Sequence, residues 1–320
     1  MQALKSLSTK SDQTQQRQIW ATNRLSMETE NMLNKCYGGK GRYYWYLHLF
    51  MAKMLKSLLH LTGLYRKGVY NAKNIVLREI PLYLPQLPQA FEGFTILHLS
   101  DLHLDGIPGL EKRILNIIDN RKVDLCVMTG DYRYELHGPI QNTIKSLEYL
   151  VKGIRSRHGI LGVLGNHDDC QMVKAMEKMG IQMLINETHW VSQEDEKIQF
   201  IGTDDVNFYY TEQASHVLKQ AHTGFSIALI HSPELYDIAS QMEVDLYLCG
   251  HTHAGQICLP GGQPFTKRLS KGKPYYYGHW SYQGMQGITH AGVGVSMIPV
   301  RFNTQGEILI LRLHRKTETE

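Results

Sequence analysis

Phe94-Thr95-Ile96-Leu97-His98-Leu99-Ser100-Asp101-Leu102-His103 is an apolar, strand-like run that ends on two polar side chains. The pattern recurs along the chain. Val123 to Thr129 runs into Gly130-Asp131, Gly159 to Leu164 into Gly165-Asn166-His167-Asp168, Phe225 to Ile230 into His231, and Val244 to Cys249 into Gly250-His251-Thr252-His253. Further strand-like runs are Gln182 to Ile185, Lys197 to Ile201 and Glu307 to Leu313. Apolar residues at helical spacing separate them: Leu110 to Asn120, Ile140 to Ile154, Val173 to Met179, Gln213 to Gln220 and Pro233 to Ser240. Short strands alternating with helices predict an α/β fold whose sheets are covered by helices. In such sheets ligands gather outside the carboxyl ends of the strands. Every polar group named above falls at such an end.

The residue types point to metal chemistry. Carboxylate oxygens, imidazole nitrogens and one amide oxygen are the inventory that two divalent cations need, with positions left for water. Each segment alone is weak: Asp101 and His103 also suit a polar loop, and Gly130-Asp131 a turn. Gly165-Asn166-His167-Asp168 is stronger, because Gly permits a tight exit and three polar functions follow in a row. His251 and His253 stand two apart, on one side of an extended chain. The whole set, in this order and each after a buried-type strand, predicts a metal site.

The same segments resemble the calcineurin-like metallophosphoesterase superfamily over about residues 92 to 313. Ser100-Asp101-Leu102-His103-Leu104, Leu164 to Asp168 and Gly250-His251-Thr252-His253-Ala254-Gly255-Gln256-Ile257 are most similar to its bacterial branch of small, often membrane-associated phosphodiesterases. Val300-Arg301-Phe302 and Gly306-Glu307-Ile308 add a weaker likeness. The resemblance implies a four-layer α/β/β/α sandwich. It implies one metal on Asp101, His103, Asp131 and His253, and a second on Asp131, Asn166, His231 and His251, with Asp131 bridging. Manganese is the first expectation for both ions, with iron, zinc or cobalt as alternatives. His167 would be the catalytic group, giving a hydrogen bond or proton to a phosphoryl or leaving oxygen.

One departure stands out. The family reads Gly-Asp-x-x-Asp or Gly-Asp-x-x-Asn at its second motif, and the last side chain orients the catalytic histidine; here the run is Gly130-Asp131-Tyr132-Arg133-Tyr134. The Tyr134 hydroxyl and Asp168 are the two candidates for that task. Arg133 reads either as a bidentate clamp on a phosphate oxygen or as a solvent-facing loop residue. Arg133, Tyr134 and Asp168 are accordingly candidate substrate-binding residues. His98 reads as a core histidine, His290 as either core or site, Asp204-Asp205 as a turn or as a lining of the site, and Cys170 as passive.

Bulk properties bound the rest. The chain has 320 residues, enough for one large domain and an appendage. A net charge of +4 is too small to imply nucleic-acid binding, and no nucleic-acid partner is expected. Five scattered cysteines without a CxxC pair favour free thiols in a reducing compartment. Residues 1–42 are polar, lack the apolar centre of a secretory signal, and read as disordered or loosely helical.

From Asn31 to Arg78 there is no Asp or Glu, against nine Lys or Arg. Its longest stretch free of Lys and Arg, Tyr43 to Ala52, is ten residues, whereas a bilayer span takes roughly twenty apolar ones. Residues 43–70 are therefore predicted to form a basic amphipathic helix. It would lie on an anionic membrane surface or pack on the protein's own core or on a second subunit. Residues 71–92 carry Pro81, Pro85 and Pro88 and read as a connector with an edge strand at Ile75 to Ile80. The catalytic domain is expected over 93–315 and a polar tail over 316–320.

These readings combine into one expectation: a binuclear phosphodiesterase or pyrophosphatase, cytoplasmic and peripheral on the inner face of the cell membrane, with a lipid-linked substrate as one option. A nuclease of the same fold and a non-catalytic membrane- or partner-binding scaffold are the alternatives. Oligomeric state is not legible.

Overall fold

The alternation of strand and helix builds two sheets. In a computed structural model, which describes residues 2–36, 39–219 and 224–316, the strands are β1 (Val76–Leu84), β2 (Thr95–Leu99), β3 (Lys122–Val123), β4 (Leu125–Met128), β5 (Arg155–Ser156), β6 (Ile160–Gly162), β7 (Ile181–Met183), β8 (Glu187–Gln193), β9 (Glu196–Gly202), β10 (Ser226–Leu229), β11 (Leu246–Cys249), β12 (Gly278–Tyr282), β13 (Met285–Thr289) and β14 (Glu307–Arg315). The helices are α1 (Gln2–Cys36), α2 (Gly39–Leu61), α3 (Leu64–Lys73), α4 (Leu110–Ile118), α5 (Gln141–Gly153), α6 (Met172–Lys178), α7 (Glu212–Lys219) and α8 (Tyr236–Gln241). One six-stranded sheet runs β1-β14-β2-β4-β6-β7 and the other β12-β13-β11-β10-β9-β8, while β3 and β5 pair separately. Within them β2, β4, β6 and β7 are mutually parallel, as are β9, β10, β11 and β13.

Successive side chains on a strand point to opposite faces, and the core divides accordingly. Ile96, Val127 and Leu161 of the first sheet meet Phe200, Ile227, Leu229 and Leu248 of the second in one buried cluster between the sheets. Their neighbours Leu97, Leu99, Cys126 and Met128 face the opposite way, onto Ile114 of α4, Leu147 of α5 and Met176 of α6. Ile201, Ala228 and Tyr247 face outward onto Val217 and Leu218 of α7 and Ala239 of α8. The order helix, sheet, sheet, helix is the expected four-layer sandwich. Strands buried on both faces read as unbroken apolar runs, which is why these segments were legible in the sequence.

The edge strand is longer than expected, Val76–Leu84 rather than Ile75 to Ile80. It pairs only with β14, so Pro81, opposite Arg312, costs the sheet no second ladder. The antiparallel partners β8 and β12 were not anticipated as strands.

Of the two readings of the N-terminus, disordered or loosely helical, residues 2–36 follow the helical one; α1 gains tertiary partners that composition does not reveal, as Trp20 packs on the first helical layer and Arg17 reaches Glu187. One expectation about this region is corrected. The single helix expected over 43–70 is two, α2 and α3, broken by Gly63 in the left-handed region (φ 72°). One face of this pair, including Ala52, Leu55, Leu59 and Val69, packs on Ile257, Ile298, Val300 and Phe302. Residue 1 and the tail after Lys316 lie outside the described residues.

Candidate metal centre

Parallel strands bring their carboxyl ends to one rim of each sheet, and the two rims meet. The loop after β11 crosses to the first sheet, where His251 N donates to both Asp101 carboxylate oxygens at 3.1 and 3.0 Å. Gly165 and Gly250 permit this convergence. A Cβ on Gly165 would collide with Asp131 Oδ1, and one on Gly250 with Ser100 Oγ and Asp101 Oδ2. Asp101, His103, Asp131, His251 and His253 all adopt left-handed backbone, with φ of 51°, 41°, 57°, 74° and 52°. The conformation costs a non-glycine residue about 1–2 kcal/mol and persists only where the surroundings over-determine it. It also turns His251 and His253 apart, although an extended chain would point them the same way.

The turned side chains form two groups of donors. In the first, His103 Nε2 lies 3.1 Å from His253 Nε2 and 3.6 Å from Asp131 Oδ2, and His253 Nε2 lies 3.3 Å from Asp101 Oδ1. In the second, His231 Nε2 lies 3.4 Å from Asp131 Oδ2 and 3.2 Å from Asn166 Oδ1, and His251 Nδ1 lies 2.8 Å from Asn166 Oδ1 and 3.2 Å from His231 Nε2. Asp131 Oδ2 is common to both.

The far ring nitrogens show which atoms are bare. His103 Nδ1 donates to Arg133 O at 2.6 Å and His231 Nδ1 to Thr129 O at 2.7 Å. A carbonyl only accepts, so each Nδ1 carries a proton and Nε2 is the atom that presents a lone pair to a cation, which at His231 would displace the second proton the acidic neighbours favour. Imidazole lone pairs, carboxylate oxygens and an amide oxygen thus point at one another in a buried place, where they need a positive charge between them. A cation bound at about 2.0–2.2 Å places its donors roughly 2.8–3.6 Å apart in octahedral or tetrahedral coordination, which matches the observed spacings. Backbone carbonyls on the far nitrogens are the usual support of a metal-ligating histidine. The residues present fit two divalent cations.

The electrostatics agree. Burial opposes charge on Asp131, yet His231, His167 and His103 hold its carboxyl well below the usual range. Burial also opposes charge on His231, but Asp131, Asp101 and Asp205 raise it to about 10. Burial and the neighbouring Asp131 push Asp101 up to about 6. The centre is a place that favours added positive charge.

His167 stands beside both groups, half-buried, with Nε2 4.0 Å from Asp131 Oδ2. Its backbone N donates to Asp131 Oδ1 at 2.8 Å and its Nδ1 to Tyr134 O at 2.8 Å. The departure at the second motif is thereby resolved: the main-chain carbonyl of Tyr134, not its hydroxyl, orients the ring.

The family model for the calcineurin-like phosphoesterase matches residues 94–255, about half of the 320-residue chain. The chain belongs to that family. The phosphoesterase is 29% identical over 240 residues to YkuE, an uncharacterized metallophosphoesterase of Bacillus subtilis (strain 168), a match covering 71% of this chain and 81% of that one. It is 24% identical over 230 residues to the phosphodiesterase YaeI of Escherichia coli (strain K12), covering 69% and 82%. A Bos taurus transmembrane protein with metallophosphoesterase domain is 27% identical over 286 residues, covering 82% of this chain and 62% of that one. The phosphoesterase is a metal-dependent hydrolase of phosphate esters.

Two further candidate residues are placed differently from expectation. Asp168 faces the backbone rather than a substrate: its carboxylate accepts from Asp131 N at 2.8 Å, Tyr132 N at 2.8 Å and Gly165 N at 2.7 Å. It staples the Asp131 turn to the His167 loop and does not touch the imidazole it was expected to hold. Arg133 is buried rather than solvent-facing; Nη2 donates to Gly138 O at 3.2 Å, and Nε and Nη1 make no hydrogen bond.

His98 and His290 are buried edge to face, and burial lowers both, His98 to about 3, so they are neutral core groups. Burial and Glu28 push the Cys170 thiol up to about 12, which keeps it passive. Asp204 and Asp205 are buried.

Arg301 was missed as a functional residue. It is fully buried and donates to His253 O, Ala291 O, Gly292 O and Gly294 O, pinning the His253 loop. Its only signal in the sequence was a late arginine between two apolar residues.

Two outcomes check this geometry. With Mn²⁺ supplied as the probe, Asp131→Asn weakens the shared donor and should lose bound metal and activity, measured by metal analysis after dialysis; wild-type metal content would contradict the shared position. Tyr134→Phe keeps wild-type kcat, because only the carbonyl contacts His167; a large drop in kcat would restore the hydroxyl as its support.

Proposed function

We propose that the phosphoesterase is a binuclear phosphodiesterase that works at an anionic membrane surface on a lipid-linked or membrane-resident phosphodiester. The observation that carries the binuclear part is the pair of four-donor groups sharing Asp131. Asp101, His103, Asp131 and His253 would hold one ion, and Asp131, Asn166, His231 and His251 the other. When bound, the ions supply Lewis acidity toward the phosphoryl group and a nucleophile at neutral pH.

His167 is assigned the proton-handling role. With Nδ1–H committed to Tyr134 O, Nε2 is the atom facing Asp131 and the donor groups. Burial lowers the ring to about 4, so neutral Nε2 would first take up a proton and then give it to the leaving oxygen. Arg133, whose Nη1 lies 3.8 Å from Asp169 Oδ2 and whose Nε makes no hydrogen bond, is assigned to a non-bridging phosphoryl oxygen.

The membrane part rests on α2. Leu47, Phe50, Met51, Met54, Leu58 and Leu61 are exposed and recur at i, i+3, i+4, i+7, i+11 and i+14, a single apolar stripe. The packed face lies to one side of it, and exposed Arg42, Lys53 and Lys56 lie beyond. An uncovered apolar stripe with only basic charge nearby suits the interface of an anionic bilayer. No helix among the described residues is long and apolar enough to cross a membrane. Helix α2 is tied to the chemistry through its protein-facing side: Arg268 Nη2 donates to His48 of α2 at 2.9 Å, while Arg268 O lies 3.4 Å from His251 Nε2. The site of action would be the inner face of the cell membrane.

Hydrolysis of bis(p-nitrophenyl) phosphate with Mn²⁺ tests the reaction. His167→Ala retains its metal but loses about 10²–10⁴-fold in kcat; normal turnover would remove that role. Co-sedimentation with phosphatidylglycerol vesicles tests the surface. Wild-type protein pellets, and the double variant Phe50→Glu/Met54→Glu stays in the supernatant while cleaving the soluble diester normally. Wild-type protein that fails to pellet would end the membrane reading.

A further inference from the structure

Helix α1 lies outside the family-matched residues 94–255, yet it carries one of the most buried side chains of the protein. Arg24 is 1% exposed. Its Nη1 pairs with Asp204 Oδ1, its Nε donates to Glu28 Oε1 at 2.9 Å, and its guanidinium carbon lies 3.5 Å from the centroid of the Tyr209 ring. Trp20 Nε1, also on α1, donates to the other Asp204 oxygen at 2.7 Å. Asp204 and Glu28 supply the counter-charge that an interior arginine requires.

The remaining nitrogen does something else. Nη2 donates to Asp168 O at 2.9 Å and Gly165 O at 3.3 Å. These two carbonyls bracket Asn166 and His167, one a candidate ligand and the other the candidate proton donor. One turn along α1, Glu28 accepts from Cys170 N at 2.9 Å. The loop is thus held from its inner side by the Asp131 and Asp168 carboxylates, and from its outer side by two residues of a helix beyond the catalytic domain. A planar guanidinium suits the task because one part of its fork meets carboxylates while another reaches two carbonyls. A lysine ammonium is a point charge that cannot span them.

We propose that Arg24 is a positioning residue: docking of α1 sets the Gly165–Asp168 loop and, through it, Asn166 Oδ1 and His167 Nε2. The functional consequence rests on the binuclear reading above. α1 has a second attachment that serves as a control. Arg17 pairs with Glu187 at 2.5 Å and donates to Met183 O at 2.6 Å. It sits seven residues away, about 10 Å along the helix, and its partners are outside the loop.

The test uses the full-length chain loaded with Mn²⁺. Its variants are Arg24→Lys, the double variant Arg24→Met/Asp204→Asn, which removes both buried charges and guards against misfolding, and Arg17→Met. The readouts are kcat and KM on bis(p-nitrophenyl) phosphate, Tm, and amide hydrogen exchange over residues 165–170. Arg24→Lys and the double variant should lose about 10–100-fold in kcat, the range of second-layer supports of metal sites, with little change in KM and faster exchange over 165–170. Arg17→Met should lower Tm and leave kcat unchanged.

Wild-type kcat and wild-type exchange in both Arg24 variants would overturn the proposal, as would an equal loss of kcat in Arg17→Met. If wild-type protein binds no manganese and cleaves no diester, the binuclear reading fails on its own. Exchange then decides about Arg24: faster exchange upholds the brace and unchanged exchange removes it.

Discussion

The structure is organised around a buried concentration of ligand atoms that calls for positive charge among them. Asp131 Oδ2 is approached by the Nε2 atoms of His103 and His231, and these meet His253, Asn166 and His251 in turn. Lone pairs so close, in a buried place, repel one another unless a positive charge lies among them. Metal-dependent phosphoester chemistry follows from this constraint, and so does much of the local architecture. Five left-handed residues at the strand ends and the close approaches at Gly165 and Gly250 are what it takes to aim those atoms at shared points.

Holding such a centre needs support that brings no extra metal ligand. Backbone carbonyls of Thr129, Arg133 and Tyr134 take the far N–H of three histidines. The Asp168 carboxylate gathers three backbone N–H groups, and Arg301 gathers the carbonyls around the His253 loop. Arg24 does the same from outside the domain. Charged side chains bonded to the main chain are a rigid way to support loops, because hydrogen bonds to charged groups are stronger than neutral ones.

The helical N-terminal region joins this centre to a surface of different character. The packed face of α2 covers the loops that contain Ile257, Ile298 and Val300, while its outer stripe is apolar and uncovered. A helix with one face on the protein and another free explains why periodicity alone left membrane and packing readings open: both faces are apolar, and a hydrophobic pattern does not say what covers it.

The sequence by itself determined the strands and the chemical inventory. Ile96 to Leu99, Leu125 to Met128 and Leu246 to Cys249 are buried on both sides, and their apolar character, interrupted only by His98, marks them without reference to any neighbour. The Asp, Asn and His residues at their ends are identified by type and by position relative to those runs. Only the tertiary structure decided how these residues are aimed and held. The tasks of the Tyr134 carbonyl, the Asp168 staple and Arg24 depend on main-chain groups brought together from distant segments. Main-chain donors and acceptors are the same in every residue, so no reading of side-chain types could find them. The choice between disorder and helix at 2–36 stayed open for a related reason: a polar helix is stabilised by a few buried contacts such as those of Arg24 and Trp20, and their partners lie about 180 residues away.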